Sequence, residues 1–197
     1  MEPIAYGPSS GPFLETPRLR LRRWSPTDPE PFALMNADPR VTEFLPTPLD
    51  RDASDAMIAR MEAHFERHGF GLWAVEIPGV APLAGYVGLQ RSPFDASFTP
   101  CVEIGWRLAA DTWGKGYATE GARTALRYGF QTLGLREILS WTVPSNERSR
   151  RVMEKLGMTH DPRDDFDHPL LPEGHPLRRH VLYRVTPDRA DLRSIHP

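Results

Sequence analysis

One stretch, "TWGKGYATEG" at residues 112–121, limits the folds open to this chain more than any other. It follows a β-rich run, "CVEIGWRLA" at residues 101–109. It precedes a segment in which Ala122, Ala125, Leu126, Phe130 and Leu133 fall three or four apart and Gly134 ends the pattern, as in an amphipathic helix. A strand therefore passes into a helix through a backbone with glycines on both sides of Lys115. Gly114 and Gly116 suit a tight turn with positive φ. They equally let an anion approach the unpaired N–H groups at a helix start, where the helix dipole is positive. Lys115 can add charge from the side.

Two familiar phosphate cradles fit poorly. A P-loop requires Ser or Thr after the lysine, and Gly116 stands there. The dinucleotide pattern G-x-G-x-x-G matches at Gly114 and Gly116 but meets Thr119 at its third position. Two β-runs also precede the strand without a helix between them, against a Rossmann unit.

The rest of the chain sets the fold class. "RLRLRRW" at residues 18–24 alternates Leu and Arg as a half-buried first strand does. Helical spacing follows over "SPTDPEPFALMNAD" and again over "PLDRDASDAMIARMEAHFERHG", which Gly69 closes. "FGLWAVEI" and "PLAGYVGLQR", joined by "PGVAP", predict a hairpin. After the glycine junction and its helix come a strand, "REILSWTV", and a helix that opens near Ser145 and Asn146 and closes on Gly157. "HVLYRVT" is the last strand. This order predicts a mixed α/β fold with a largely antiparallel sheet that turns parallel in its second half. No composition break divides it, so one domain is expected over 14–187, with a loose arm at 1–13 and a tail at 188–197. Residues 161–180 form a long, Pro-rich, charged connection, the kind that more often serves function than ornament.

Bulk properties exclude several partners. A net charge of -2 exerts no global pull toward nucleic acid or an anionic membrane. No apolar stretch approaches the roughly 20 residues of a membrane span. Cys101 is the one cysteine and cannot form an internal disulfide, and the first twelve residues have neither the basic nor the apolar region of a secretory signal. A reducing cytoplasm fits both.

"EIGWRLAADTWGKGYATEGARTAL" followed by "TVPSNERSRRVMEKLGM" resembles the GNAT superfamily of acyl-CoA N-acyltransferases. It looks most like the branch of ribosomal-protein N-acetyltransferase-like enzymes, as does the opening "LETPRLRLRRWSPTD". The resemblance runs from about Leu14 to Met158. It implies the GNAT fold, in which two parallel strands splay apart so that the pantetheine arm of coenzyme A pairs with one of them. Those strands would be residues 102–108, where Ile104 and Trp106 would meet the cofactor, and residues 137–142. It implies a pyrophosphate loop over Trp113, Gly114, Lys115, Gly116, Tyr117 and Ala118, with backbone N–H groups through Thr119 as donors. Trp113 replaces the usual Arg or Gln of that loop.

The implied activity is acetyl transfer from acetyl-CoA to a primary amine, either a protein N-terminus or a small molecule, by direct attack in a ternary complex. Such transfer needs a base for the amine, a donor for the oxyanion and a proton for the thiolate. The resemblance offers Glu103 as the base, acting through water, although a strand-edge glutamate can simply face solvent. It places Asn146 and Ser149 on the pantetheine arm and thiol, with Ser149 as a candidate acid, while plain helix capping explains Asn146 as well. Many family members carry a tyrosine acid where this chain has Met153. Trp73, Trp106 and Trp141 read as core or pocket walls. The "RSRR" run around Ser149 is a helix face that can also reach the 3′-phosphate of coenzyme A. His168, His175 and His180 match no metal spacing and fit a substrate lid. Expected partners are acetyl-CoA, an amine acceptor and at most a second copy in a homodimer, with no metal. Two alternatives stay open: a catalytically weak acyl-CoA sensor on the GNAT fold, and a Rossmann-like nucleotide-binding enzyme.

Overall fold

The computed structural model describes residues 13–47 and 49–192. The arm expected over 1–13 lies outside the described residues except for Phe13, as does the tail from residue 193 onward. Two short strands, β1 (Leu14–Glu15) and β2 (Arg20–Arg22), precede helices α1 (Pro29–Ala37), α2 (Pro39–Thr42) and α3 (Arg51–His68). Next come β3 (Leu72–Ile77), β4 (Ala81–Arg91), β5 (Val102–Leu108), α4 (Tyr117–Arg127) and β6 (Ile138–Thr142). The chain ends with α5 (Glu147–Lys155), β7 (Thr159–His160), β8 (Phe166–Asp167) and β9 (Arg179–Val185). Among the described residues the sheet order is β1-β2-β3-β4-β5-β6-β9-β7, with β8 paired to β9. Every adjacent pair is antiparallel except β5 and β6.

Local chemistry sets the elements. The Asp50 carboxylate accepts the Ala53 N–H at 2.8 Å and caps α3; Gly69, at φ 75°, ends it in the left-handed region. β3 and β4 form the expected hairpin, in register from Leu72↔Gly88 to Val75↔Gly85 with a shift before Ile77↔Ala81. The first strand is broken, because residues 16–19 turn between β1 and β2 rather than extending. The helix expected to run on to residue 133 is α only through Arg127 and finishes in a π turn over Tyr128–Thr132. The late connection is partly structured, since it supplies β8 and a 3-10 turn over Pro162–Asp164.

Side-chain alternation along the strands builds two cores. Trp73, Val75, Val87, Leu89 and Ile104 face α4 and α5 with Ala122, Leu126 and Met153. On the opposite face Leu72, Ala74 and Tyr86 pack with Phe32, Met35, Ile58 and Met61 of α1 and α3. The chain stays in contact with α4 as far as residue 192: Arg123 pairs with Asp191 at 2.8 Å, and Arg127 donates to the Leu192 carbonyl.

Candidate active site

β5 and β6 run parallel but share a single register pair, Glu103↔Leu139. Just past it the Ser140 hydroxyl donates to the Ile104 carbonyl at 2.9 Å. Beyond that bond the strands part. Backbone groups of alternate residues point to the same side of a strand, so those of Trp106 face the gap that β6 has left. A Cβ built on Gly105 would meet nothing within 4 Å. The gap opens into a cavity of about 480 Å³ walled by β5, β6, the α4 start, α5 and the segment around α2.

The glycine junction forms one end of this cavity. Residues 110–112 make a single 3-10 turn, and Gly114 and Gly116 then take φ of 75° and 82°. Gly116 is the N-cap of α4 and has no side chain to satisfy the helix's first N–H groups. These donors are left for an anion. The tight turn thus leaves these amides without a side-chain cap. Trp113 packs inward: its Nε1–H donates to the Leu108 carbonyl at 2.8 Å, and the Arg148 guanidinium lies 4.6 Å over its ring. Lys115 does not line the cavity; its Nζ donates to the Asp111 carbonyl at 3.2 Å. Arg148, Arg151 and Lys155 of α5 line the cavity, the first two from the expected "RSRR" face.

A buried carboxylate fixes this corner. Glu120, in the first turn of α4, is 2% exposed. It accepts the Thr16 hydroxyl at 2.6 Å, the Arg18 N–H at 3.1 Å and the Arg18 guanidinium at 2.5 Å. Arg18 in turn donates to the Lys115 carbonyl at 2.9 Å and covers the Tyr117 ring. Sequence reading passed over both residues, because the link joins positions 102 apart. Glu120→Ala is expected to lower the unfolding free energy by about 3 kcal/mol, the low end for a broken buried pair because Arg18 can reach water. Urea denaturation measures it.

Of the remaining expected residues, Glu103, Trp106, Gly114, Gly116, Tyr117, Ala118, Thr119, Asn146 and Ser149 all line the cavity with Trp113. Ile104 does not, because its side chain is fully buried in the core and only its backbone is available. Glu103 is no solvent-facing edge residue. It sits in the cavity wall beside Gln90, whose Nε2–H donates to it at 2.9 Å. Burial pushes its carboxyl up to about 7, with the Gln90 hydrogen bond opposing. Gln90 escapes sequence reading because it meets Glu103 only through the β4–β5 register. Asn146 caps α5 by accepting the Ser149 N–H at 3.2 Å and ties it to β6 by donating to Thr142 Oγ1 at 3.0 Å. Its capping role is thus real, and it presents Ser149 to the cavity. Met153 is buried and offers no O–H.

The late loop builds a wall. Phe94, Phe98, Trp141, Phe166, His168 and His180 form one ring cluster, with the two imidazoles 5.0 Å apart. Burial lowers both histidines and favours their neutral forms. His180 and Trp141 reach the cavity, whereas His168 and His175 do not line it. Among the described residues no cluster of three or more His, Cys, Asp or Glu is placed to hold a metal, and no helix is long and apolar enough to cross a membrane.

A family model for the acetyltransferase (GNAT) domain matches residues 18–159. The chain belongs to the GNAT acetyltransferase family. It is 31% identical to the uncharacterised protein YkkB of Bacillus subtilis over 146 residues, spanning 74% of this chain and 84% of that one. An acetyltransferase from Agrobacterium tumefaciens superposes with a TM-score of 0.72 at 27% identity, over 94% of this chain and 98% of its own. RimJ of Mycobacterium smegmatis, solved in complex with CoA-disulfide, shares the fold with a TM-score of 0.68 at 19% identity, over 86% and 82%. The splayed β5–β6 pair and the mixed sheet are those of the GNAT fold, and this GNAT chain is an N-acetyltransferase. The family's cosubstrate is acetyl-CoA, and the residues here fit it: bare amides at Gly116, open space at Gly105 and Gly114, and basic side chains on α5.

Proposed function

We propose that this chain transfers an acetyl group from acetyl-CoA to a primary amine by direct attack, with both substrates bound together. Acetyl-CoA supplies the activated thioester; the chain's own groups do the rest. The amides from Lys115 to Thr119 hold the diphosphate, and the open edge of β5 at Trp106 lines up the pantetheine arm. Glu103 takes the proton that the amine must lose, directly or through one water. The observation that carries this reading is a carboxylate in the cavity wall raised to about 7, a value matched to base work near neutral pH. Ser149, at the Asn146-capped start of α5, also lines the cavity and returns a proton to the leaving thiolate. Cys101 supports direct transfer: burial pushes its thiol up to about 11, which leaves too little thiolate at neutral pH for it to serve as a covalent carrier. The His180 wall and α2 with the following Phe44 and Leu45 enclose the acceptor side.

Calorimetry with coenzyme A, NAD and ATP, paired with a thiol-release assay over a panel of amines, tests the proposal. Binding of coenzyme A alone and steady amine-dependent thiol release are expected. Binding without turnover by any amine would convert the protein into an acyl-CoA sensor. Tight NAD or ATP binding with none of coenzyme A would remove the reading altogether.

A further inference from the structure

Glu103, Gly105 and Arg107 alternate onto the same face of β5, the face that packs toward α1 and α3. Arg107 lines the cavity there and stacks over the Tyr86 ring at 5.5 Å. Among the described residues no carboxylate lies within 4 Å of its guanidinium. Its neighbours in the cavity wall differ: Arg40 pairs with Asp38, Arg148 with Glu43 and Arg151 with Glu147. What holds Arg107 is instead a neutral, buried relay. Its Nη1–H donates to Asn36 Oδ1 at 3.0 Å, and Asn36 Nδ2–H donates to Ser54 Oγ at 3.1 Å. Asn36 and Ser54 are both fully buried. Two buried polar side chains thus hold a guanidinium without neutralising it, and among the described residues its Nε and Nη2 groups are neither buried without a partner nor spent on a carboxylate.

Resting on the acetyl-transfer reading above, we propose that Arg107 receives a carboxylate of the acceptor, so that the substrates are primary amines that also carry an acid. An arginine fork is the side chain suited to two-point carboxylate recognition. Spacing narrows the class. Four residues of strand separate the Cα atoms of Glu103 and Arg107 by about 13 Å, and Asn36 of α1 holds the Arg107 guanidinium at 3.0 Å. An α-amino acid is too short to meet both. The amine and the acid must be several bonds apart, as in an ω-amino acid or a peptide whose N-terminal residue precedes an acidic one.

Two matched pairs of probes test this. ε-Aminocaproate is compared with its amide, and a peptide beginning Gly-Glu with one beginning Gly-Gln, each by kcat/KM. At least one acid is expected to exceed its neutral twin about tenfold or more, the usual worth of a charge-assisted pair; which acid does so tells a free amino acid from a peptide. Arg107→Met should bring that ratio close to one. Asn36→Asp should do the same with Arg107 still present, because it supplies an internal carboxylate, and this variant guards against misfolding in the first. Arg107→Lys should retain part of the preference. Equal rates for both twins, no turnover of either acid, or a preference that survives in Arg107→Met would overturn the carboxylate assignment. Turnover without preference would leave acetyl transfer standing, whereas loss of coenzyme A binding and of all turnover would remove that reading instead.

Discussion

Glu103→Gln is expected to cut amine-dependent turnover by about 100-fold or more, the range for losing a positioned base, while coenzyme A still binds. The pH profile separates a base from a merely structural wall residue. In the wild type Glu103 is protonated below about 7 and cannot accept the amine's proton. The rate should therefore climb as pH passes 7, with a further rise where the free amine deprotonates. In Glu103→Gln the limb near 7 should vanish and only the amine's own rise remain. Stability should move the other way. Folding raises this carboxyl from 4.5 to about 7, so the native state binds more protons across that window. Stability from this group is then present below 4.5 and declines as pH rises to 7. Glu103→Gln should resist urea better than the wild type at pH 8, with the gap closing near pH 4. Wild-type turnover in the variant, or an unchanged limb near 7, would assign proton removal to water alone.

The fold was largely legible because its strongest signals are local. Gly69, Gly134 and Gly157 all take positive φ where helical spacing stops, and the period-2 runs became β3 to β6. The turn at Gly114 and Gly116 was legible for the same reason: two glycines before a helix constrain φ wherever they occur. What escaped depends on pairing across the chain. Gln90 meets Glu103 only through sheet register, and Glu120 meets Arg18 across 102 positions. Sequence places Lys115 between the glycines but cannot show that its side chain turns back to Asp111. Alternation puts the Ile104 side chain on the core face, one residue from the wall-lining Glu103, and leaves only its backbone toward β6. That alternation was readable: Glu103, Gly105 and Arg107 share a parity, and Arg107 could have been noted from it. Its buried Asn36 and Ser54 support could not.

Gly116→Val should raise the dissociation constant for coenzyme A by about 100-fold or more. At φ 82° a β-branched residue is strained by about 1–3 kcal/mol, and the chain can relieve this only by turning the peptide planes on either side of it. Those planes carry the amides proposed to hold the diphosphate at the α4 start. Losing two or three charge-assisted hydrogen bonds accounts for the size of the effect. Space is not the cause, since a Cβ there would approach only Arg18, at an ordinary 3.4 Å. Gly69 provides the control. It has φ 75° and open space around it, but it ends α3 and does not line the cavity. Gly69→Val should therefore lower thermal stability by a similar amount and leave the calorimetric affinity for coenzyme A untouched. Equal affinities in the two variants would mean that the backbone at Gly116 does not hold the diphosphate. The splayed strands would then have to bind the cofactor without the helix that follows them.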